Sequence, residues 1–491
     1  MGTATGAGRP ALTAAMVWLL SCPVDAQSVA PPDPAAGASG ETSFLVENMT
    51  RVEAWRYFQP PPNGGREPDY VLAGNRSTLG AAYRGAQVSF SGTLQYVRVE
   101  NLPAGAIGPG LLGSGGAYYF QAAGTFSYQF YLRTLSLAVH DRGHRRWVEA
   151  GRFSRAADTE ASTGDPAIDA VVRRDLNGRL LGDMEWSFYQ RAWDGVRGGV
   201  AAGGVAATAT LALPTQGTFE ESANLFMDRV RVAALEVTSV PGLVPHARLD
   251  AFAYAYDDSR PVDGRPDNTG LAATRADVHV RTFGAAWTGA YPAAWGTTTV
   301  SAWAAGQTGR WYGQAHAAGA LAGHVGARFE RVAWRPWLRA GATHASGDAD
   351  GSDRRHGTFF PMLPSGDRVS SLLAYALMNV TDVWGEVALA PSPQIELRAA
   401  VHHVDLARGS DRWYQGSGAT IRAGNYFGFQ GRAANGATAL GTIVDGALDW
   451  QPLRWWTLRL SLGRMAGGEV VAARFAGRRL TTGWIESIVR F

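Results

Sequence analysis

The chain has 491 residues, of which 46% are hydrophobic, 18% are charged and 11% are aromatic, and its formal net charge is +3. This length allows either several soluble domains or one large closed sheet. A net charge so close to zero gives no indication of a nucleic-acid partner. All 45 basic residues are arginine, which suits forked contacts with carboxylates but is explained equally well by codon bias.

Residues 1–26 are predicted to be a secretory signal peptide. Arg9 precedes the apolar stretch 11–20, and a small-residue cleavage site ends before Gln27. The stretch would rise only about 15 Å as a helix, which is too short to span a bilayer. Cleavage would remove Cys22, the single cysteine. Alternatively, the sequence LLSC resembles a lipoprotein cleavage box, which would keep Cys22 as a lipidated N-terminus. Residues 27–43, rich in Pro and Ala, are predicted to be a flexible linker.

From residue 44 onward, polar and apolar residues alternate in segments of about ten residues, the length of a tilted strand that crosses a membrane. Residues 87–96 and 125–132 are clear examples, with large apolar side chains on one face and Ser, Thr or Gln on the other. Residues 178–199 show the same alternation, with Asp183, Glu185 and Arg191 on one face and large rings on the other. We therefore predict a strand there, with its rings toward lipid and its charges toward a lumen, followed by a turn fixed by Asp194 and Arg197.

The predicted connections fall into two groups. Short Pro-containing turns lie within 332–341, 389–399 and 449–460, whereas long Gly-, Asp- and Arg-rich loops lie at 155–174, 256–274, 346–368 and 405–414. The last strand ends on the aromatic Phe491. Sorting of short and long connections to opposite rims is typical of outer-membrane barrels. Residues 44–491 are thus predicted to form one all-β, transmembrane antiparallel barrel of about 18 strands, with short periplasmic turns and long extracellular loops.

Several segments resemble, in the same order, those of the alginate export family of outer-membrane porins. They are RVEAWRYF (51–58), NRSTLG (75–80), AGRF (150–153), RLLGDMEWSFYQRAWDGVR (179–197), HASGDADGSDRRHGTFFPMLPSGD (344–367) and WGEVALAPSPQIELRAAVHHVDLA (384–407). The resemblance implies a wide barrel that passes an acidic polysaccharide outward through an Arg-lined constriction. The chain departs from the family in having no lysine, and Phe153 stands where a polar residue is more usual. Arg152 shares its side with Val148 and Ala150, so either a bulge resets the alternation or Arg152 lies outside the lumen.

The residues predicted to bind the polymer in the lumen are charged. They are Arg51, Glu53, Arg76, Arg152, Arg179, Asp183, Glu185, Arg191, Arg281, Arg339, Arg398 and Arg459. Fixed guanidinium groups would offer a polyuronate successive exchangeable contacts, and the carboxylates would keep binding weak enough for release. For any single residue, a solvated lumen charge without contact to the polymer is an equally good interpretation.

We expect no cofactor, and the catalytic motifs of serine hydrolases, zinc proteases and phosphate loops are missing from the sequence. Asp348, Asp350 and Asp353 form a weak candidate for a Ca²⁺ site, although a solvated loop is the better interpretation. The predicted function is an anion-selective channel that exports alginate or a related polysaccharide. Its expected partners are that polymer, outer-membrane lipid and a periplasmic export scaffold. A general porin for small anions and a non-conducting barrel that binds or hydrolyses a surface ligand remain the alternatives.

Overall fold

The computed structural model describes residues 40–491, apart from 63–64, 109–112, 156–162, 164, 220–222, 240–241, 366–371 and 423–427. The predicted signal peptide and most of the predicted linker therefore lie outside the described residues. The first strand begins at Glu41, so residues 41–43 belong to the sheet and the predicted linker boundary at 43 is wrong. None of the described helices combines the length and apolar character needed to cross a bilayer.

The described residues form twenty-one strands and three short helices. In chain order these are β1 (Glu41–Arg56), β2 (Asp69–Arg84), β3 (Val88–Glu100), α1 (Gly113–Ala122), β4 (Phe126–His140), β5 (Arg146–Phe153), α2 (Pro166–Asp175), β6 (Trp193–Ala202), β7 (Val205–Pro214), β8 (Val230–Ser239), β9 (Ala247–Asp258), β10 (Val278–Ala293), β11 (Gly296–Trp311), β12 (Gln314–Phe329), β13 (Trp337–Ala345), β14 (Arg355–His356), β15 (Val380–Ser392), β16 (Ile395–Asp405), β17 (Arg412–Gly416), β18 (Phe429–Ala433), β19 (Ala439–Leu453), β20 (Trp456–Gly467), α3 (Glu469–Ala472) and β21 (Arg479–Arg490).

Eighteen of these strands close into one antiparallel barrel, which confirms the predicted architecture and strand number. Each wall strand pairs with the next along the chain, β13 pairs with β15, β16 pairs with β19, and β1 pairs with β21 to close the ring. The short strand β14 lies parallel to β12, and β17 and β18 form a separate hairpin. Closure leaves no unpaired edge between the described wall strands within the membrane span, as a strand-built membrane protein requires.

Side chains alternate between the two faces of the wall, as the sequence predicts. In β3 and β4 the polar Ser89, Gln95 and Ser127 are buried inside, whereas Phe126 and Phe130 are exposed on the outer face. Large exposed apolar side chains recur around the outer face of the ring. Contact with lipid favours an apolar outer surface of this kind, whereas the interior of the barrel is polar.

The connections sort to two rims, which confirms the predicted asymmetry. One rim carries connections of two to seven residues, including 330–336, 393–394 and 454–455, and the other carries the long ones, with the two-residue turn 312–313 as an exception. Exposed aromatic rings gather at the short rim, where Phe491 stacks on Trp455 with ring centroids 5.7 Å apart. In barrels of this class the short rim faces the periplasm, so the long connections are extracellular.

The described parts of three long connections fold back into the barrel. The first, residues 154–192, carries α2, which has Asp165 as its N-cap and Pro166 as its first residue and packs against β10 and β11. The second, residues 346–379, buries Phe359, Phe360 and Leu363, and the third carries the β17–β18 hairpin. Together they fill the long-loop end of the interior and leave a cavity below it.

Candidate functional site

Residues 179–192, here called the inner segment, lie inside the barrel and are not the predicted strand. The strand β6 begins only at Trp193. Met184 and Phe188 are fully buried, so the prediction that the rings of this segment face lipid is wrong. The alternation has a different cause, because the charged groups bind the barrel wall or the loops while the rings pack between them.

Asp183 fixes the inner segment to the wall. Its carboxylate accepts hydrogen bonds from the Arg133 guanidinium at 3.1 Å, from the backbone N–H of Arg155 at 2.8 Å and from the indole N–H of Trp193 at 2.7 Å. The side chain is fully buried. A buried carboxylate with this many donors contributes to stability mainly because losing it would leave those donors unpaired.

Two arginines hold the backbone of the same segment. Arg191 donates to the carbonyl oxygens of Gly182, Leu363 and Ala419, and so ties three connections together. Arg76, on the inner face of β2, donates to the carbonyl oxygen of Ser187 at 2.9 Å. The ring of Phe188 packs against Gly74 on the inner face of β2. A Cβ added at Gly74 would overlap that ring.

Below the inner segment lies a cavity of about 560 Å³, here called the lumen cavity. Its wall consists of the inner faces of β1, β11, β12, β13, β15, β16, β19, β20 and β21, and the C-terminal end of α2 also lines it. Its arginines are Arg51, Arg173, Arg174, Arg179, Arg339, Arg398 and Arg459. Its carboxylates are Glu53, Asp175, Asp382, Glu386, Glu396, Asp445 and Asp449. The cavity is therefore densely charged but close to neutral overall.

The C-terminal end of α2 is attached to the wall by ion pairs. Asp175 binds Arg339 at 3.0 Å and His324 at 2.6 Å, and Arg339 also binds Glu386 at 2.9 Å. Burial alone would raise the pKa of Asp175, but the His324 hydrogen bond and the Arg339 charge outweigh it and lower the pKa to about 2. Arg174 bridges Glu386 and Glu396. Asp175 is thus charged at any physiological pH, and α2 stays docked across the lumen.

A second chain of ion pairs continues along the adjacent strands β19, β20, β21 and β1. Arg51 lies 2.8 Å from Glu53 and 3.3 Å from Glu486, and Arg459 lies 3.4 Å from the same Glu486 and 3.1 Å from Asp449. The side chain of Arg51 is almost fully buried, whereas that of Arg459 is 46% exposed. Arg459 is therefore accessible to a solute in the cavity, whereas Arg51 is not.

Tryptophan rings share the cavity with the arginines. The guanidinium of Arg179 lies 5.0 Å from the Trp303 ring centre, and that of Arg339 lies 5.2 Å from Trp384. Such contacts hold the cations in place without neutralising them. Indole faces beside guanidinium groups also suit a sugar acid, which has an apolar ring face and a charged edge.

The twelve predicted lumen residues divide into three groups. Those that line the lumen cavity are Arg51, Glu53, Arg179, Arg339, Arg398 and Arg459. Those that lie inside the barrel but pack within or against the inner segment are Arg76, Asp183, Glu185 and Arg191. Those on the outer face are Arg152 and Arg281. Six of the twelve predicted residues therefore line the lumen cavity.

Arg152 and Arg281 face outward, so the prediction that they line the lumen is wrong. Arg152 forms a two-pronged ion pair with the outward Asp194, with no bulge in the pairing of β5 and β6, so it lies outside the lumen. Arg281 pairs with Asp257 at 3.1 Å on the outer face. The predicted turn at Asp194 and Arg197 is also wrong, because both lie in β6 and Arg197 binds Glu149 inside the barrel at 2.6 Å.

The sequence prediction missed the residues that α2 brings into the cavity and the inward tryptophans. A signal for α2 was available, since Asp165 and Pro166 form an N-cap and first turn and Arg173 and Arg174 follow at the C-terminal end. Trp384 stands between Asp382 and Glu386 on one strand face, and a ring in the polar phase indicates an inward orientation. The first signal needed a search for helix ends within a long connection, and the second needed the alternation of each strand to be followed separately.

Asp348, Asp350 and Asp353, the weak candidate for a Ca²⁺ site, do not form a metal-binding group in the described residues. Asp350 accepts hydrogen bonds from Ser352, Asp353 accepts one from the backbone of Arg355, and no metal-binding group of three or more His, Cys, Asp or Glu side chains occurs in the described residues. Asp348 instead faces the buried Asp411, which accepts the Asp348 backbone N–H at 2.8 Å. Burial raises the pKa of Asp348 to about 6, and the charge of Asp411 adds to the shift against the backbone hydrogen bond from Asp350.

This raised pKa predicts an acid-stabilised loop. Because the folded pKa exceeds the unfolded value of about 3.9, the loop gains stability as pH falls from about 6 to about 4 and loses it at higher pH. We expect Asp348→Asn to abolish this dependence in hydrogen exchange of residues 346–360, measured at pH 5 and pH 8 and corrected for intrinsic rates. Asp350→Asn, at an exposed position, should keep the wild-type dependence. An Asp348→Asn loop that still tightened at pH 5 would contradict the assignment.

A closed 18-strand wall with a charged lumen and an apolar outer face defines an outer-membrane channel. The chain belongs to the alginate export family, since the family model described as Alginate export matches residues 172–479, more than half of its length. Its own location is accordingly the outer membrane, as an integral barrel.

Solved structures share this fold at low sequence identity. The outer membrane protein OpdK of Pseudomonas aeruginosa is 9% identical, with 91% of this chain and 99% of that one covered and a TM-score of 0.54. OccAB2 of Acinetobacter baumannii is 10% identical, with 92% and 98% covered and a TM-score of 0.56. OccK2 (OpdF) of Pseudomonas aeruginosa, solved in complex with glucuronate, is 8% identical, with the same coverage and a TM-score of 0.56. No curated protein matches the chain in sequence.

Proposed function

We propose that this outer-membrane channel is anion-selective and carries alginate or a related acidic polysaccharide from the periplasm to the exterior. The observation that carries the proposal is the lumen cavity, in which guanidinium groups alternate with carboxylates and indole rings at the periplasmic side of the inner segment. Membership in the alginate export family supports the polymer as the substrate. Transport is a binding and release process here, with no catalytic step.

The balance of charges suits transport of a polyanion. A cavity lined only by arginine would bind a polyuronate too tightly for release, whereas arginines that already hold carboxylate partners can exchange them. Arg398 and Arg459 are well placed for exchange, because their side chains are 38% and 46% exposed. Each sugar acid would replace one internal ion pair and then be replaced in turn by the next residue of the polymer.

A second candidate is a porin for small organic anions. A cavity of about 560 Å³ lies in the size range of small-molecule sites. One structure of similar fold was solved with glucuronate, a single sugar acid. On this alternative the inner segment and the other inward connections would remain packed, and only monomers would pass.

Efflux from proteoliposomes tests the proposal. We expect reconstituted protein to release fluorescent mannuronate oligomers of about ten residues, and to retain neutral dextran oligomers of equal length, because only the former can exchange with the ion pairs of the cavity. Liposomes without protein should retain both. Release of glucuronate with full retention of the oligomer would favour the small-anion porin, and equal release of both oligomers would contradict anion selectivity.

A further inference from the structure

Outward-facing charges collect at the long-loop ends of β8 to β12. The strand registers place six outward residues side by side in one row, here called the rim row. It consists of Arg231, Asp257, His279, Arg310, Ala315 and Arg355. Arg281 lies on the same face, two residues from His279 along β10.

The outward direction of this row follows from its neighbours along each strand. Val230 and Val232 flank Arg231 and are buried inside, Trp311 follows Arg310 and is fully buried, and His356 follows Arg355 and is buried. Arg231, Arg310 and Arg355 themselves are exposed. Their guanidinium groups therefore lie on the outer surface of the barrel and have no access to the lumen.

The row carries an excess of positive charge. The row and its neighbours include Arg231, Arg281, Arg310, Arg355 and His279, together with the carboxylates of Asp257 and Asp277 and of Asp353, which accepts the backbone N–H of Arg355. Arg281 binds Asp257 at 3.1 Å and Arg310 binds Asp277 at 2.8 Å. With a neutral histidine the four arginines and three carboxylates give the cluster a net charge of +1. The carboxylates of Asp257 and Asp277 hold two of the guanidinium groups in place, and their remaining N–H groups are available to a ligand.

The rim row also marks the edge of the apolar band. Four residues further toward the middle of the barrel, the same face presents Leu235 and Phe283, which are 48% and 57% exposed. The separation is roughly 13 Å along the strands. Since the long connections are extracellular, the row lies at the level of the head groups of the outer leaflet.

We propose that the rim row binds the phosphate groups of the outer-leaflet glycolipid, lipid A. Guanidinium groups bind phosphate oxygens through paired hydrogen bonds, and an anionic lipid surface attracts such clusters. Leu235 and Phe283 would contact the acyl chains of the same molecule. A free phosphate lacks this apolar part, so the position of the row favours the lipid.

Lipid binding by the purified barrel in detergent tests the proposal. We expect native mass spectrometry to show that bis-phosphorylated lipid A binds about tenfold more tightly than dephosphorylated lipid A, a difference of about 1.4 kcal/mol. The triple variant Arg231→Gln, Arg310→Gln and Arg355→Gln should remove this difference. Inorganic phosphate at equal concentration should not compete.

A matched triple variant controls for general loss of positive charge. Arg56, Arg98 and Arg464 are exposed and outward near the same rim on β1, β3 and β20, and their replacement by Gln should leave lipid A binding unchanged. The proposal would be overturned if both triple variants lost lipid A binding equally, or if the rim-row triple variant kept the wild-type preference for phosphorylated lipid A. Complete competition by inorganic phosphate would also overturn it. Heat-modified mobility on gels checks folding, and Arg355→Gln alone gives a milder version of the same test.

Discussion

Replacing Asp183 with alanine is expected to release the inner segment from the barrel wall and to raise the single-channel conductance. The substitution leaves the guanidinium of Arg133 and the indole N–H of Trp193 without their buried acceptor. Breaking a buried pair of this kind costs about 3–5 kcal/mol. That is enough to detach a connection that is fixed at a few points, and a detached segment no longer narrows the lumen. Planar bilayer recording of the purified variant measures the effect.

Asp194→Ala is the matched control for this result. Asp194 is also a carboxylate in an arginine pair, but it lies on the outer face with Arg152. Its loss should leave the conductance at the wild-type value. If Asp183→Ala and wild-type channels conducted equally, the inner segment would not depend on Asp183 for its position.

Reversing two charges of the lumen cavity is expected to convert the channel from anion to cation preference. Arg398→Glu together with Arg459→Glu shifts the charge of a nearly neutral cavity by four units, at two arginines whose side chains are 38% and 46% exposed. Ions crossing the cavity then meet a negative field. The reversal potential in a salt gradient should change sign.

The control for this experiment changes the same net charge elsewhere. Arg98→Glu and Arg464→Glu alter outward-facing residues near the long-loop rim, away from the lumen. Their reversal potential should match that of the wild type. A cavity variant that kept the wild-type reversal potential would show that ions do not pass the charges of the lumen cavity.

The wall of the barrel could be predicted from the sequence because its physics is local. A strand between lipid and lumen must alternate polar and apolar side chains. The inward direction of Ser89 and the outward direction of Phe126 could therefore be predicted without knowing which strands lie beside them. The sorting of short and long connections followed from chain order alone. The same reasoning placed Arg51, Arg339, Arg398 and Arg459 on the inner face.

The interior could not be predicted in the same way, because it depends on which connections fold inward. The inner segment alternates as a strand would, but its alternation comes from Asp183 and Arg191 binding the wall and loops while Phe188 packs between. Arg281 was misplaced for a related reason, since a charge near the rim is as well solvated outside the barrel as inside. Alternation identifies a face, but it does not identify what that face contacts.

Single-channel recording with mannuronate oligomers tests the central claim most directly, namely that the lumen cavity lies on the path of an acidic polysaccharide. Added on the periplasmic side, the oligomers should interrupt the wild-type current in a charge-dependent manner, and dextran of equal length should not. The interruptions should shorten in Arg398→Gln and Arg459→Gln channels, because exchange partners are lost. Interruptions of equal length with both polymers, or unaltered ones in the two variants, would contradict the claim.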